Sequence, residues 1–503
     1  MEEIKHAISK LKNGKSPGLD EIYNEYIKAG GEPLINALQI LFNNILKYGV
    51  VPQNFKEALI VILFKKGNRS ECKNYRPISL LSHIYKLCMT IIAKRITNDL
   101  YTCFTKTQAA YQPGRNTTEQ IFALEQLIEK SIEFNRPMHI VFIDFKKAFD
   151  SINLNKLWKI LDRTPINKNY INLLKSTYDQ STAIIKTDLG ISRRIDIKRG
   201  AKQGDILSAI LFCVALSAVL LLTEEENATG YTIGGEIMSN LAYADDLAIV
   251  NDNLKNLQDF VNKLAKNAKE IGLEINYIKT KSMTTDKANP ILDITICSHH
   301  IKQVSEFIYL GHKITANNDQ EKALKHRIGL GWTAFNNHEK IMKSNRIPIK
   351  IKTRTYETYI LPVVLYGLDC ITWSKKLIQQ VEVFQNHIMR FITGYRLLDR
   401  IKIEDLRRKT KLQPISTKIR TKTLKLFGHV KRSTKGASKL CFEGMIPGTR
   451  QQGKPRLRWK DNIPQWTQIN NWNEINKLTL DRKTWKTISE ADTHSARGGN
   501  SVT

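Results

Sequence analysis

Carboxylates are the scarce charge in this chain. Its 503 residues hold 48 Asp and Glu against 78 Lys and Arg, a formal net charge of +30. That balance excludes a disordered acidic solubiliser. It points to a polyanionic partner, nucleic acid ahead of an anionic membrane surface. Cysteine is sparse too. The seven (Cys72, Cys88, Cys103, Cys213, Cys297, Cys370 and Cys441) include no C-x-x-C pair and no Cys/His knuckle. This argues against a zinc ribbon or finger, and scattered thiols fit a reducing compartment. Met1 to Lys5 opens no apolar signal stretch. The longest apolar run, Ile206 to Leu222, has 17 residues and contains Ser208 and Ser217. A bilayer needs roughly 20, so a buried core helix is expected and no membrane. The expected location is intracellular, with nucleus and cytoplasm both open.

Hydrophobic residues make up 42% of the chain, enough for folded cores. The length suggests two to four domains at roughly 100–200 residues each. Strand-like runs at 58–64, 139–145, 183–197, 240–250, 274–283 and 307–314 alternate with helical spacing at 34–46, 117–134, 147–161 and 254–271. Thr117 or Thr118 is placed to cap the 117–134 helix. After about residue 318 the pattern turns helical. The expected fold class is α+β followed by an α-helical part. Residues 489–503 are small and polar and are expected to be disordered.

The one Asp-Asp dipeptide, Asp245-Asp246, sits in the apolar stretch Leu241 to Val250. Carboxylates at the tip of a buried hairpin repel, which raises at least one pKa, and a divalent cation relieves this. Mg²⁺ favours one or two carboxylates plus substrate phosphates. Asp144, closing the strand Ile140 to Ile143, offers a third. Taken singly, Asp245-Asp246 reads equally as a polar turn and Asp144 as an element cap.

Three blocks then occur in order: Phe142-Ile143-Asp144-Phe145-Lys146-Lys147-Ala148-Phe149-Asp150, Gly200-Ala201-Lys202-Gln203-Gly204-Asp205-Ile206-Leu207-Ser208, and Tyr243-Ala244-Asp245-Asp246. Together they resemble the successive palm motifs of reverse transcriptases, and most closely those of LINE-type, non-LTR retrotransposons. Gly14 to Asp20, Asn74 to Leu81, Gly272 to Lys281 and Tyr309 to Ile314 extend the resemblance over roughly residues 4–400. It implies a right-hand polymerase, with fingers and palm over 1–315, a helical thumb over 316–400 and a basic nucleic-acid-binding region over 401–503. It implies an RNA-directed DNA polymerase acting on an RNA template, a DNA or RNA primer and deoxynucleoside triphosphates.

The resemblance also implies site residues. Asp144, Asp245 and Asp246 would bind two Mg²⁺ ions, with Mn²⁺ a possible substitute. Lys279 would act as a general acid near the leaving pyrophosphate, with Lys281 the alternative. Arg76 would grip the triphosphate through its planar fork of donors, with Lys65 or Lys66 beside it. Phe149 would exclude a 2′-hydroxyl. Gln203 and Gly204 would approach the sugar or base. Asp205 and Ala209 stand where prolines are frequent in the family, which questions the start of the following helix. Tyr243 would pack under the acidic pair or against the primer end. Tyr309 and Gly311 would hold the primer backbone.

Residues 401–460 carry 18 Lys and Arg against three Asp and Glu. Trp459 among these cations reads as a base-stacking residue for RNA, or the segment as a solvated basic face. Removing 401–503 is expected to weaken RNA binding and flatten its salt dependence. The fingers-like block begins almost at Met1, so endonuclease activity is expected from elsewhere.

Overall fold

A computed structural model describes residues 1–491 apart from 66, 188, 189, 203, 227, 435, 451, 452 and 454. Gln203, Lys66, Lys454 and the tail from 492 onward therefore lie outside the described residues.

The longer strands are β1 (Glu57–Phe64), β2 (Tyr75–Leu80), β3 (His139–Ile143), β4 (Thr182–Thr187), β5 (Asn240–Tyr243), β6 (Asp246–Asn251), β7 (Lys281–Thr284), β8 (Glu306–Tyr309) and β9 (His312–Thr315). β7, β3, β6 and β5 form, in that order, an antiparallel central sheet. β1 lies between antiparallel β2 and parallel β4 in a second sheet. β3 is buried at every position. Val141 and Ile143 enter one core; Ile140 and Phe142 enter another on the opposite face. A sheet covered on both sides must be apolar at consecutive positions, which explains the unbroken Ile140–Ile143 run.

Helix α1 (Thr117–Glu133) covers one face through Ala123, Leu124 and Leu127. The short helix α2 (Ala148–Ser151) leaves β3. Helices α3 (Ser208–Glu226) and α4 (Leu254–Glu270) cover the other face through Leu211, Phe212, Phe260 and Val261. α3 is long and apolar enough to cross a membrane by length and composition. Most of it is packed inside the protein, which accounts for its composition as a core helix.

Local chemistry adjusts several expected elements. Asn116, not Thr117 or Thr118, caps α1 by accepting from Glu119 N at 3.1 Å. The helical stretch 147–161 breaks at Ile152, and Asn153 caps the second piece by accepting from Lys156 N. Of 274–283 only the end pairs as strand β7. The 307–314 stretch is a hairpin rather than one strand, because Leu310 (φ +47°) and Gly311 (φ +76°) turn the chain.

Beyond residue 316 the chain is helical. The border expected at 400 does not divide a core: Leu406, Leu412, Ile415 and Ile419 pack with Leu324, Val364 and Ile388. A further core joins Ile121 and Phe122 of α1 to Phe427, Trp459, Ile475 and Trp485. The basic C-terminal region is thus docked on the central sheet's own helix.

Candidate active site

The acidic residues meet because of strand register. β6 pairs with β3 through Leu247 opposite Ile143, so one further step sets Asp246 beside Asp144. β7 pairs with β3 through Lys281 opposite Phe142, so the next same-face position on its side is Lys279. β5 pairs with β6 through Tyr243 opposite Asp246. One row across the sheet end therefore reads Lys279, Asp144, Asp246, Tyr243, with Asp245 in the turn above. Lys279 Nζ stands 3.4 Å from Asp144 Oδ2. Lys281 is one pleat lower, and its Nζ is taken by the Ile278 carbonyl. Register thus separates the two lysines that the sequence left open.

The carboxylates are crowded. Asp246 is pushed up to about 6, first by partial withdrawal from water and then by the charges of Asp245 and Asp144, although its outer edge remains exposed. Burial and Asp144 also raise Asp245, while Arg76 and Lys279 oppose the shift. Arg76, exposed on β2 of the second sheet, is near enough for its charge to act on Asp245. Asp144 Oδ2 is buried and completes no hydrogen bond. Apart from the Lys279 ammonium beside Asp144, the cluster offers carboxylate oxygens, the ligand type that suits a hard oxygen-loving cation. Among the described residues no three acidic, His or Cys side chains form a ready cage. That is compatible with an ion that takes most of its remaining oxygens from substrate and water.

Around this row, Phe149 is half-buried on α2 with its ring 4.4 Å from Phe212 of α3. Lys65 is exposed at the end of β1, its backbone N–H donating to Asn74 O. Gly204 is explained by protein packing: a Cβ there would meet Ser79 O of β2 at 2.5 Å, and its φ is +118°. Asp205, where proline is frequent in the family, starts α3 by a different device. Its carboxylate accepts from Ile206 N at 2.7 Å and Ser208 Oγ at 3.4 Å. Lys202 anchors the other flank of this loop; it is buried, donates to Thr177 O at 2.8 Å and is pulled down to about 8 by burial.

Residues 64–314 match the family described as "Reverse transcriptase (RNA-dependent DNA polymerase)". The chain belongs to the reverse transcriptase family. It is 27% identical over 421 residues to a probable RNA-directed DNA polymerase from transposon BS of Drosophila melanogaster, covering 78% of this chain and 44% of that protein. It is 25% identical over 413 residues to the probable RNA-directed DNA polymerase from transposon X-element of the same fly, covering 78% and 44%. It is 26% identical over 378 residues to the Pol polyprotein of the type-1 retrotransposable element R2 of Popillia japonica, covering 73% and 51%. The chain spans about half the length of these relatives. They bear out the LINE-type, non-LTR resemblance. The matched family fits a polymerase fold of palm and fingers.

The structure places other expected residues differently. Tyr243 is half-buried at the hairpin end, packed against the core. Tyr309 cannot present its ring to a primer: it is buried beneath Asp246, packs against Phe142 and donates its hydroxyl to Leu241 O at 3.4 Å. Gly311 turns the adjacent hairpin; a Cβ there meets only ordinary contacts at 3.7 Å, so its positive φ is what requires glycine. Trp459 is fully buried, stands 4.6 Å from Phe122 and donates Nε1–H to Asp369 O at 2.9 Å. It cannot stack on a base. An amphipathic indole among cations finds a better partner in a core with a carbonyl at its edge. Gln108, buried against the acidic turn, is invisible to sequence reasoning; a loop glutamine carries no periodic or charge signal.

Proposed function

We propose that this chain is an RNA-directed DNA polymerase that extends a DNA or RNA primer 3′-hydroxyl on an RNA template, using deoxynucleoside triphosphates. The observation that carries the reading is the row Lys279–Asp144–Asp246 with Asp245 above it, on a palm sheet of the reverse transcriptase family. Asp144, Asp245 and Asp246 would hold two Mg²⁺ ions, or Mn²⁺ in their place. When bound, such ions activate a hydroxyl nucleophile and neutralise the charge of the leaving pyrophosphate.

The chain's own residues divide the remaining work. Arg76, with Lys65 nearby on the fingers, draws the triphosphate toward the acidic turn. Lys279 holds a proton within reach of Asp144 and delivers it to the leaving group. Phe149, braced on Phe212, closes the space a 2′-hydroxyl would need. Gly204 borders that space, and Tyr243 borders the primer end. The helical residues 316–400 serve as the thumb over the template–primer duplex.

Primer extension of oligo(dT) on poly(rA) in Mg²⁺ tests the reading. The full chain should synthesise DNA, and Asp245→Asn should lower the rate by at least about 10³-fold, as expected when charge stabilisation of the transition state is removed. Synthesis by Asp245→Asn at the unmodified rate would overturn it.

A further inference from the structure

We infer that Gln108 is a positioning residue for the acidic hairpin: its buried carboxamide holds the Ala244 N–H and so fixes the turn that aims Asp245 and Asp246. The inference rests on the polymerase reading for its effect on rate, and on geometry for the rest.

Ala244 lies between Tyr243 and Asp245 with φ +53°. L-residues rarely adopt that left-handed region, and glycine is the usual occupant in tight hairpins. Ala244 is also buried, so its N–H has no water to turn to. Gln108 Oε1 supplies the acceptor at 2.9 Å and takes a second N–H, that of Ala110, at 3.0 Å. Two N–H donors pointing at one side-chain atom require an oxygen there. The Nε2 of Gln108 has no partner among the described residues, so the site selects an acceptor at this position.

The support is itself fixed. Residues 107–109 run along the free edge of β5: Gln108 bridges Ala242, Ala109 N donates to Ala242 O at 3.0 Å, and Thr107 Oγ1 donates to Asn240 Oδ1 at 2.7 Å. The Gln108 carbonyl accepts from Arg115 Nη1 at 2.8 Å and from Gln112 Nε2 at 2.6 Å. Arg115 is in turn clamped by Glu119 at 3.0 Å. Gln108 therefore belongs to a braced strip laid beside the catalytic hairpin. Without its oxygen the turn is deprived of the hydrogen bond that offsets a disfavoured backbone conformation. Misplacement of catalytic groups on the scale of an ångström is costly in rate.

The test uses the full chain with Gln108→Met, close in shape but without an acceptor, and Gln108→Glu, which keeps one. Gln108→Met should lower kcat on poly(rA)/oligo(dT) by about 10- to 100-fold. KM for dTTP should stay within about two-fold, since the fingers are untouched. Gln108→Glu keeps the acceptor for both N–H groups, so exchange of the 240–247 turn should stay near the unmodified rate in that protein, whatever its added charge does to kcat. Independently of turnover, hydrogen exchange of the peptide covering residues 240–247 should be at least about tenfold faster in Gln108→Met. Unmodified kcat and unmodified exchange in Gln108→Met would overturn the inference, as would a Gln108→Glu protein that folds yet exchanges as fast over 240–247 as Gln108→Met. A wild-type chain without DNA synthesis would sink the polymerase reading alone, because the exchange measurement still decides the role of Gln108.

Discussion

At the residue scale, the acidic row is a site that works against the fold's own electrostatics. Asp246, pushed up to about 6, binds its proton more tightly in the folded chain than an ordinary aspartate near 3.9. The folded state therefore holds more protons than the unfolded state between those values, and stability falls as pH rises through that window. At neutral pH the charge is present and uncompensated. Asp246→Asn should consequently raise Tm in metal-free buffer at pH 7.5 while abolishing DNA synthesis. Paired thermal melts in EDTA and primer-extension assays check this, and a lower Tm for Asp246→Asn would contradict it. The same residues that weaken the apo fold are those a divalent cation would relieve.

At the element scale, helix α1 is a polar beam inside an apolar surround. Its four glutamates are each held by a different part of the chain. Glu119 meets Arg115 at 3.0 Å and His429 at 2.7 Å; Glu125 meets His312 at 3.2 Å. Glu129 accepts from Trp459 N at 2.8 Å and Thr372 Oγ1 at 3.0 Å; Glu133 meets Arg450 at 3.0 Å and Arg458 at 3.4 Å. Burial raises Glu129 to about 7, against the opposing pull of its two donors. By the same linkage, the Glu129 contribution to stability declines as pH climbs from about 4.5 to 7, and the cost is complete above it. Glu129→Gln should flatten the decline of unfolding free energy between pH 5 and 8, by an amount on the order of 1–3 kcal/mol. Melting curves across that range decide it, and parallel profiles for the two proteins would refute it.

At the scale of the whole molecule, the excess of positive charge is distributed differently from its sequence density. Many cations of 401–460 serve the fold. Arg407 pairs with Glu382 at 2.7 Å, Lys418 with Glu357 at 2.8 Å and Lys425 with Glu490 at 2.6 Å. Arg420 is buried against the Trp466 and Ala491 carbonyls. Removing everything past 400 would strip Leu406, Ile415, Trp459 and Trp485 from two cores, so that truncation reports on folding before it reports on RNA. Surface substitution is the cleaner probe. Lys402, Lys411 and Arg456 are exposed and form no ion pair among the described residues. Replacing all three with Ala should reduce the salt slope of RNA binding by up to about 0.7–0.9 for each phosphate that is no longer neutralised, with Tm unchanged. Trp459→Ala, by contrast, should destabilise by about 3–5 kcal/mol. Binding titrations at several salt concentrations, read beside melting curves, separate the two kinds of residue.

The sequence by itself brought out the residues on which the proposed chemistry rests. Asp144, Asp245 and Asp246 were legible because carboxylates inside apolar strands stand out, and because three ordered motifs carry a family likeness. The strands around them and the buried helix Ser208–Glu226 were legible for a related reason: hydrophobic period and turn residues are local properties. What only the tertiary structure decided is which side chains share a place. Register set Lys279 beside Asp144 and Lys281 one pleat lower, because a two-residue step moves a side chain one pleat along the sheet. Docking of the C-terminal region on α1 turned Trp459 from an expected base platform into a core residue. A chain crossing placed Gln108 beside Ala244, 136 positions away. Each of these depends on contacts between distant segments, which composition and periodicity do not encode one segment at a time.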